Sequence, residues 1–455
     1  MYMPARCRRY ELGERLMKHK LTRRTFLAGA GAAASSLALG RVSANPKALR
    51  VSPLEKLNIA GIGVGGRGAV NLDEVSSENI VALCDVDDER ARTGGAPDRW
   101  PDAKQYRDFR KMFDEMANEI DAAVISTPDH THAVIALAAM QLGIHVYVEK
   151  PLSHSIKEAR AMRDAARKYG VVTQMGNQYM ASDWERQMCE RIWSGAIGQF
   201  HTAHIWGPWP TEWWPGGKER PDDTPSAPEH LDWDLWLGPA QQRPYSWVYA
   251  PGLWRGWSNF GTGALGDAAI HRNEFFMILR PRQPESVEVV RKKGMTDETY
   301  PDSSVIRYEF PAQYGTDRLT LYWYDGGEKP APQDLPDYVP PGILEKENGT
   351  VYVGTDGAIC DGQLHPEERR EEYDHPVEML PRSPGHHQEF IQACKGGPPP
   401  FSNFDYAAPA TEIVLLGNVA LRAGEKIEWD GEKVTNIDAA NEYLHREYRD
   451  GWSLT

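Results

Sequence analysis

Lys56-Leu-Asn-Ile-Ala-Gly-Ile-Gly63, followed by Val64-Gly65-Gly66, decides the fold. A short apolar run ending in glycines reads as a buried strand entering a tight loop. Gly61, Gly63 and Gly66 stand at the G-x-G-x-x-G spacing of a dinucleotide fingerprint. There Gly61 permits the turn, Gly63 lets a pyrophosphate approach the backbone, and Gly66 lets the next helix pack on the strand. The phosphates would rest on that helix's N terminus. Arg67, next in the chain, is a further cofactor-binding candidate. Such a motif recurs by chance, so its surroundings carry the argument.

Residues 80–84 (Ile-Val-Ala-Leu-Cys) form a second apolar strand ending at Asp85. An acid at that strand end accepts hydrogen bonds from the adenosine ribose and repels the extra phosphate of NADP. NAD is therefore the expected cofactor, with Arg90 and Arg92 as the features that would admit NADP. The structural alternative makes Asp85 a strand-end cap. The alternation continues: a strand at 121–127, a loop at 128–132, a helix at 133–142 and a strand at 144–148. Then come Glu149-Lys150-Pro151, a helix at 155–169 and a strand at 171–175. Strand and helix alternating at this pitch predict a doubly wound parallel sheet, with ligands at the carboxyl ends of its strands. Residues 61–66, Asp85, 128–132 and 149–151 all fall at such ends.

The fingerprint, the Thr127-Pro128-Asp129-His130-x-His132 run and Glu149-Lys150-Pro151 together resemble the Gfo/Idh/MocA family, the glucose–fructose oxidoreductase and inositol dehydrogenase group. The resemblance extends to Gly261-x-Gly263-x-Leu265-Gly266-Asp267-x-x-x-His271 and spans residues 56–425. It implies a Rossmann domain followed by a C-terminal α/β domain with a large open, mostly antiparallel sheet. It also implies a nucleotide in the cleft, near Thr127, Pro128, His130, His132, Glu149, Lys150 and Asn177. By the same resemblance Lys150 orients and polarises the reacting oxygen, Asp267 contacts substrate or Lys150, and His271 is the acid–base residue. A cis Lys150-Pro151 bond is implied too. One departure stands out: Arg272-Asn273-Glu274 follow the histidine where relatives often carry an apolar residue and an acid.

Chemistry supports these roles independently. Removing hydride from an alcohol carbon also requires its hydroxyl proton to leave, which suits a histidine. A nearby lysine stabilises developing negative oxygen. Asp267 and His271, four apart, would share a helix face. Without the resemblance, His271 reads as a satisfied core histidine and Lys150 as a surface charge.

The N-terminal stretch reads as an export signal. A basic start leads to Leu21-Thr22-Arg23-Arg24-Thr25-Phe26-Leu27, a Gly/Ala-rich apolar run and Val42-Ser43-Ala44. This is the pattern of a twin-arginine signal peptide over residues 1–44, with a retained anchor helix as its alternative. The apolar run is too short for a stable membrane span. Twin-arginine export carries folded proteins to the periplasm, which suits a chain that loads its cofactor first. The expected domains are then 45–175 for nucleotide and 176–455 for substrate and oligomerisation.

Net charge is −14 for the whole chain. The first 44 residues carry nine Lys/Arg against two Asp/Glu, which leaves −21 on the remainder. So acidic a chain is a poor candidate for binding nucleic acid or anionic membrane, and neither is an expected partner. Cys7, Cys84, Cys189, Cys360 and Cys394 show no C-x-x-C spacing, so free thiols are expected rather than disulfides or a metal site.

In the second half, residues 206–257 hold nine of the fifteen Trp: Trp206, Trp209, Trp213, Trp214, Trp233, Trp236, Trp247, Trp254 and Trp257. Most would pack an irregular insertion, and one or two would line a carbohydrate cleft. Gly176-Asn177-Gln178-Tyr179 sits where substrate should meet cofactor. Strands are expected within 285–324 and at 350–354, a helix opening at His386-His387, and an apolar helix at 407–423 that packs back on the core. Adjacent histidines do not share a helix face, so no metal is expected there.

Three functions compete. The first is an NAD(P)-dependent oxidoreductase acting on a hydroxyl of a sugar, sugar derivative or polyol. The second is an exported glycoside hydrolase or lyase whose tightly bound NAD oxidises, and later re-reduces, a ring carbon around elimination and hydration. The third is a carbohydrate-binding protein on a retired scaffold, against which Lys150, Asp267 and His271 together argue. A homo-oligomer is expected, since open sheets pair.

Overall fold

The computed structural model describes residues 54–454 apart from 211–213, 280–281, 313–317 and 374–376. Residues 1–44, read above as an export signal, Cys7 and Trp213 lie outside the described residues.

Six strands form the first sheet: β1 (Asn58–Ile62), β2 (Asn79–Cys84), β3 (Lys104–Tyr106), β4 (Ala122–Ile125), β5 (His145–Glu149) and β6 (Thr173–Gly176). Their order is β3-β2-β1-β4-β5-β6, every neighbouring pair parallel. The chain winds outward from β1 in both directions, so a crevice opens at the carboxyl ends of β1 and β4. β4 and β5 are buried throughout, as expected of a sheet covered on both faces.

Helix α1 (Arg67–Glu74) follows the glycine loop. Helix α2 (Asp129–Gln141) starts four residues earlier than the 133–142 span read from sequence, so Asp129 to His132 form its first turn and not a loop. Pro128 presets the backbone and Asp129 favours the helix's positive end. Helix α3 (Ile156–Tyr169) is closed at its start by a capping box between Ser155 and Glu158, and at its end by Gly170.

The second sheet has eight strands: β7 (Phe200–Trp206), β8 (Ser286–Lys293), β9 (Ser303–Phe310), β10 (Leu319–Tyr324), β11 (Gly349–Gly354), β12 (Ala358–Cys360), β13 (Gln363–His365) and β14 (Ile427–Glu428). Its order is β13-β12-β11-β7-β10-β9-β8-β14, antiparallel except for β7 against β10. Five further helices matter to the site: α4 (Asp183–Trp193), α5 (Gly263–Ala268), α6 (Asn273–Leu279), α7 (His386–Cys394) and α8 (Phe404–Ala423). Helix α8 starts three residues before the predicted span and packs on α3 and β8. Its apolar residues go almost all the way round because it is buried almost all the way round. Ala407, Leu416 and Ala420 join one core with Val146 and Met175 of the first sheet and Ile306 and Leu321 of the second.

Among the described residues the four cysteines are free and buried, and no helix is long and apolar enough to cross a membrane.

Candidate active site

A cleft of about 1040 Å3 opens at the carboxyl ends of the parallel strands. The glycine loop forms one wall. Gly63 has φ 76°, and a Cβ there would lie 2.9 Å from the Ser126–Thr127 backbone. Gly66 has φ 51° and caps α1 with no side-chain bond; the Gly68 N–H turns back to the Gly65 carbonyl (3.0 Å), and no capping side chain stands at the helix start, where an anion would rest. Gly61 has a different job from the one its spacing suggested. It lies inside β1, and a Cβ on it would meet Leu72 of α1 at 2.8 Å. Close packing of strand on helix is its constraint.

Asp85 ends β2 beneath this loop. Its Oδ2 accepts from the backbone N–H of Val64 (2.9 Å) and Gly65 (3.2 Å), and its Oδ1 from that of Asp87 (3.0 Å). Burial pushes its carboxyl up to about 6 despite these three bonds. Both readings of Asp85 are therefore physical: it shapes the glycine loop and still faces the cleft. Arg90 lines the same end, while Arg107 is tied to Asp88 (Nε to Oδ1, 3.0 Å). A loop that any Cβ would fill, an uncapped helix start and an acid at the second strand's end fit a dinucleotide.

The opposite wall carries the reactive groups. The Lys150-Pro151 bond is cis. The Lys150 Nζ donates to the Asp267 carboxylate and to its backbone carbonyl (3.2 Å). Arg255 Nε stands 3.0 Å from the other Asp267 oxygen. Burial works to raise the Asp267 carboxyl, but the two cations overcome it and hold it below the usual carboxylate range. His271 lies in a 3-10 turn just after α5, so it shares the cleft with Asp267 although one regular helix does not carry both. Burial and the Lys150 ammonium push its imidazole down to about 3. It is neutral at pH 7, with Nδ1 unpartnered. The Tyr179 ring stands 6.1 Å away, edge-on, and is exposed.

Glu149 braces this wall. Its Oε1 accepts from Arg67 Nε (3.3 Å), Asn71 Nδ2 (2.9 Å) and Gln178 Nε2 (2.7 Å), and its Oε2 from the Lys150 N–H (3.3 Å). His132 stands behind the cleft, bridging the carbonyls of Pro151 (2.9 Å to Nδ1) and Thr127 (2.8 Å to Nε2). It fixes the spacing between the two loops that line the site.

Gly63, Gly66, Arg67, Asp85, Thr127, Pro128, Glu149, Lys150, Asp267 and His271 thus meet in one cleft. Four others do not line it: His132, held behind it, and the three that follow. His130 is buried against Trp236 and Phe260, with Nε2 2.9 Å from the Trp236 carbonyl. Asn177 is buried, donating to Asn273 Oδ1 (2.5 Å) and accepting from the Ser402 hydroxyl. Gly61 acts through packing alone. The Arg272-Asn273-Glu274 departure also faces away: Glu274 accepts from the Tyr352 hydroxyl (2.6 Å) and its N–H donates to Glu185 (2.7 Å).

The sequence reading passed over Asp129 and Arg255. Asp129 lines the cleft and accepts from the Thr262 hydroxyl (2.7 Å). Burial, then the charge of Asp267, raises its carboxyl to about 7. Its place in the 127–132 motif was the available signal. Arg255 had none. Of the Trp-rich segment, Trp236 and Trp254 line the cleft, Trp206 is buried in β7 and Trp209 stacks on Trp323.

Residues 57–177 match an oxidoreductase family with an NAD-binding Rossmann fold, and residues 201–305 match its C-terminal α/β domain. The alpha-N-acetylgalactosaminidase of Shewanella oneidensis is 28% identical over 171 residues, 32% of this chain and 37% of that protein. The inositol 2-dehydrogenase of Salmonella paratyphi B is 29% identical over 153 residues, 33% of this chain and 44% of that one. The chain spans less than half the length of these curated relatives. The WlbA dehydrogenase of Bordetella pertussis, solved with NADH and UDP-GlcNAcA, has a TM-score of 0.56 at 15% identity, over 82% of this chain and 99% of that one. At that identity the likeness is one of fold.

Proposed function

The chain belongs to the Gfo/Idh/MocA oxidoreductase family, and from that premise we propose that it is an NAD-dependent enzyme oxidising a hydroxyl-bearing carbon of a sugar, sugar derivative or polyol. The observation that carries this reading is the meeting of Lys150, Asp267 and His271 in the cleft formed by the glycine loop. When bound, NAD supplies a hydride acceptor. The chain's part is to place the substrate oxygen and move its proton. Lys150 offers its ammonium to that oxygen and stabilises the charge that develops on it. Asp267, anchored by Arg255, keeps Lys150 extended into the cleft. His271, neutral and half-buried, receives the hydroxyl proton. Lys150 holds down its affinity for that proton until negative charge on the substrate oxygen offsets the ammonium.

A second reading is an exported glycoside hydrolase or lyase with tightly held NAD. The likeness to an alpha-N-acetylgalactosaminidase favours it. Here Asp129 supplies what the hydrolase needs beyond His271, a buried carboxyl that holds a proton near neutral pH. Export by the twin-arginine route to the periplasm, a retained cofactor and a homo-oligomer complete the proposal.

The test mixes the chain, freed of residues 1–44 and given no nucleotide, with sugars, polyols and aryl glycosides. Reduced-cofactor absorbance and released products are followed together. Stoichiometric reduction with a keto product supports the dehydrogenase. Many turnovers of cleaved glycoside without net reduction support the hydrolase. Neither product from any substrate overturns both.

A further inference from the structure

One end of the cleft is apolar. Val86, Phe109, Ile135, Leu235, Trp236 and Trp452 line the same cavity as Asp85 and the glycine loop. The first three lie among the elements of the parallel sheet. Leu235 and Trp236 come from the Trp-rich insertion, and Trp452 from the C-terminal segment.

Two sets of bonds hold these distant segments in place. The loop after Asp85 is joined to residues 230–232: the Asp88 N–H donates to the His230 carbonyl (3.1 Å) and the Asp232 N–H to that of Val86 (2.9 Å). His230 also reaches Asp87 Oδ1 (2.8 Å) and Glu89 Oε2 (3.1 Å) through its two ring nitrogens. The C-terminal segment grips the insertion through Arg449, which donates to Asp234 Oδ1 (2.5 Å), the Gly238 carbonyl (2.5 Å) and Gln242 Oε1 (2.8 Å). Arg446 and Tyr448 anchor it to Glu158 Oε1 at 3.0 and 2.5 Å. The Trp452 ring then lies 6.1 Å from Phe109, tilted by 42°, with the Arg110 guanidinium 4.8 Å from its centroid.

We propose that Trp452 and residues 230–236 form the adenine subsite and clasp the adenosine half of the nucleotide, retaining it between turnovers. The proposal rests on the NAD-dependent reading. Adenine is a flat ring that stacks on aromatic faces and loses water favourably in an apolar slot. Asp85 beside that slot faces the ribose. A nucleotide seated there leaves only after the C-terminal segment or the insertion opens, and each is held by several charge-assisted bonds.

The test loads the full chain with NADH and follows the loss of its fluorescence on displacement by excess NAD. Trp452→Ala and Arg449→Ala release NADH about tenfold faster or more, and Trp452→Phe releases it near the parent rate. Parent rates in all three overturn the clasp. Should the alanine variants melt early, Trp452→Leu against Trp452→Phe decides: fast release from Leu alone supports the clasp, and equal rates overturn it. Failure of the enzymatic reading looks different, with no sugar or polyol turned over while NADH is still held through Trp452.

Discussion

Lys150 donates to both the carboxylate and the backbone carbonyl of Asp267, so the end of β5 in the parallel sheet is tied to the helix that precedes His271. The pair is buried, with the two side chains 17% and 4% exposed. Removing one partner leaves a charge without its counterion in a low-dielectric site. Asp267→Asn is expected to cost about 3 kcal/mol of stability, read by denaturant unfolding. Lys150→Met, which leaves Asp267 paired with Arg255, is expected to lower kcat about a thousandfold while the nucleotide still binds.

His271 sits near 3, well below an unfolded value of 6.5. The unfolded chain therefore binds more protons at this position between those values. Its contribution to stability is complete above pH 6.5 and is lost as pH falls toward 3. His271→Gln should make the acid-side loss of stability shallower, by up to about 1.4 kcal/mol per pH unit. His386 and His387, pushed down to about 3 and 4 mainly by burial, keep part of the slope, as do His130, His132, His154 and His204, which burial also pushes down. An unchanged slope in unfolding titrations would show that His271 is solvated.

Asp129 behaves in the opposite sense. Its folded value of about 7 lies above its unfolded 3.8, so the native chain holds the extra proton between them. Stability is lost as pH rises through that window. Asp129→Asn, which cannot ionise, should melt above the parent at pH 8 and level with it at pH 4. In the hydrolase reading the same variant loses most on glycosides with poor leaving groups, and least on those that need no protonation.

Gly63→Ala places a Cβ 2.9 Å from the 126–127 backbone at a positive φ. The loop must shift, and strain at such a position costs about 1–3 kcal/mol. Nucleotide affinity measured by calorimetry should fall about tenfold to a hundredfold. Gly66→Ala, whose nearest obstacle is the end of the Arg90 side chain at 3.1 Å, should fall less.

Local pattern made much of the site readable. The strand–loop–helix run at 58–74, Asp85 and the 149–151 run each announce themselves within a few residues, because hydrophobic period, glycine spacing and strand ends are local properties. The helix over 155–169 and the helix start at His386 are legible for the same reason. The start of α2 was misread because the polar Asp129-His130-Thr131-His132 run looks like a loop. Those side chains are buried by the Trp236–Phe260 cluster and the 150–151 turn, neither of which is near them in sequence.

The sequence by itself determined the Rossmann half and its nucleotide cleft, and its likeness to a family named the candidate trio Lys150, Asp267 and His271. Only the tertiary structure decided that Asn177 and His130 support the cleft from behind, that Asp129 and Arg255 belong in it, and that Trp452 returns from the far end of the chain to line it. The reason is physical. A strand or a glycine loop is specified by residues a few positions apart, whereas a buried polar partner or a ring against a distant ring depends on how whole elements pack, and no short stretch of sequence encodes that.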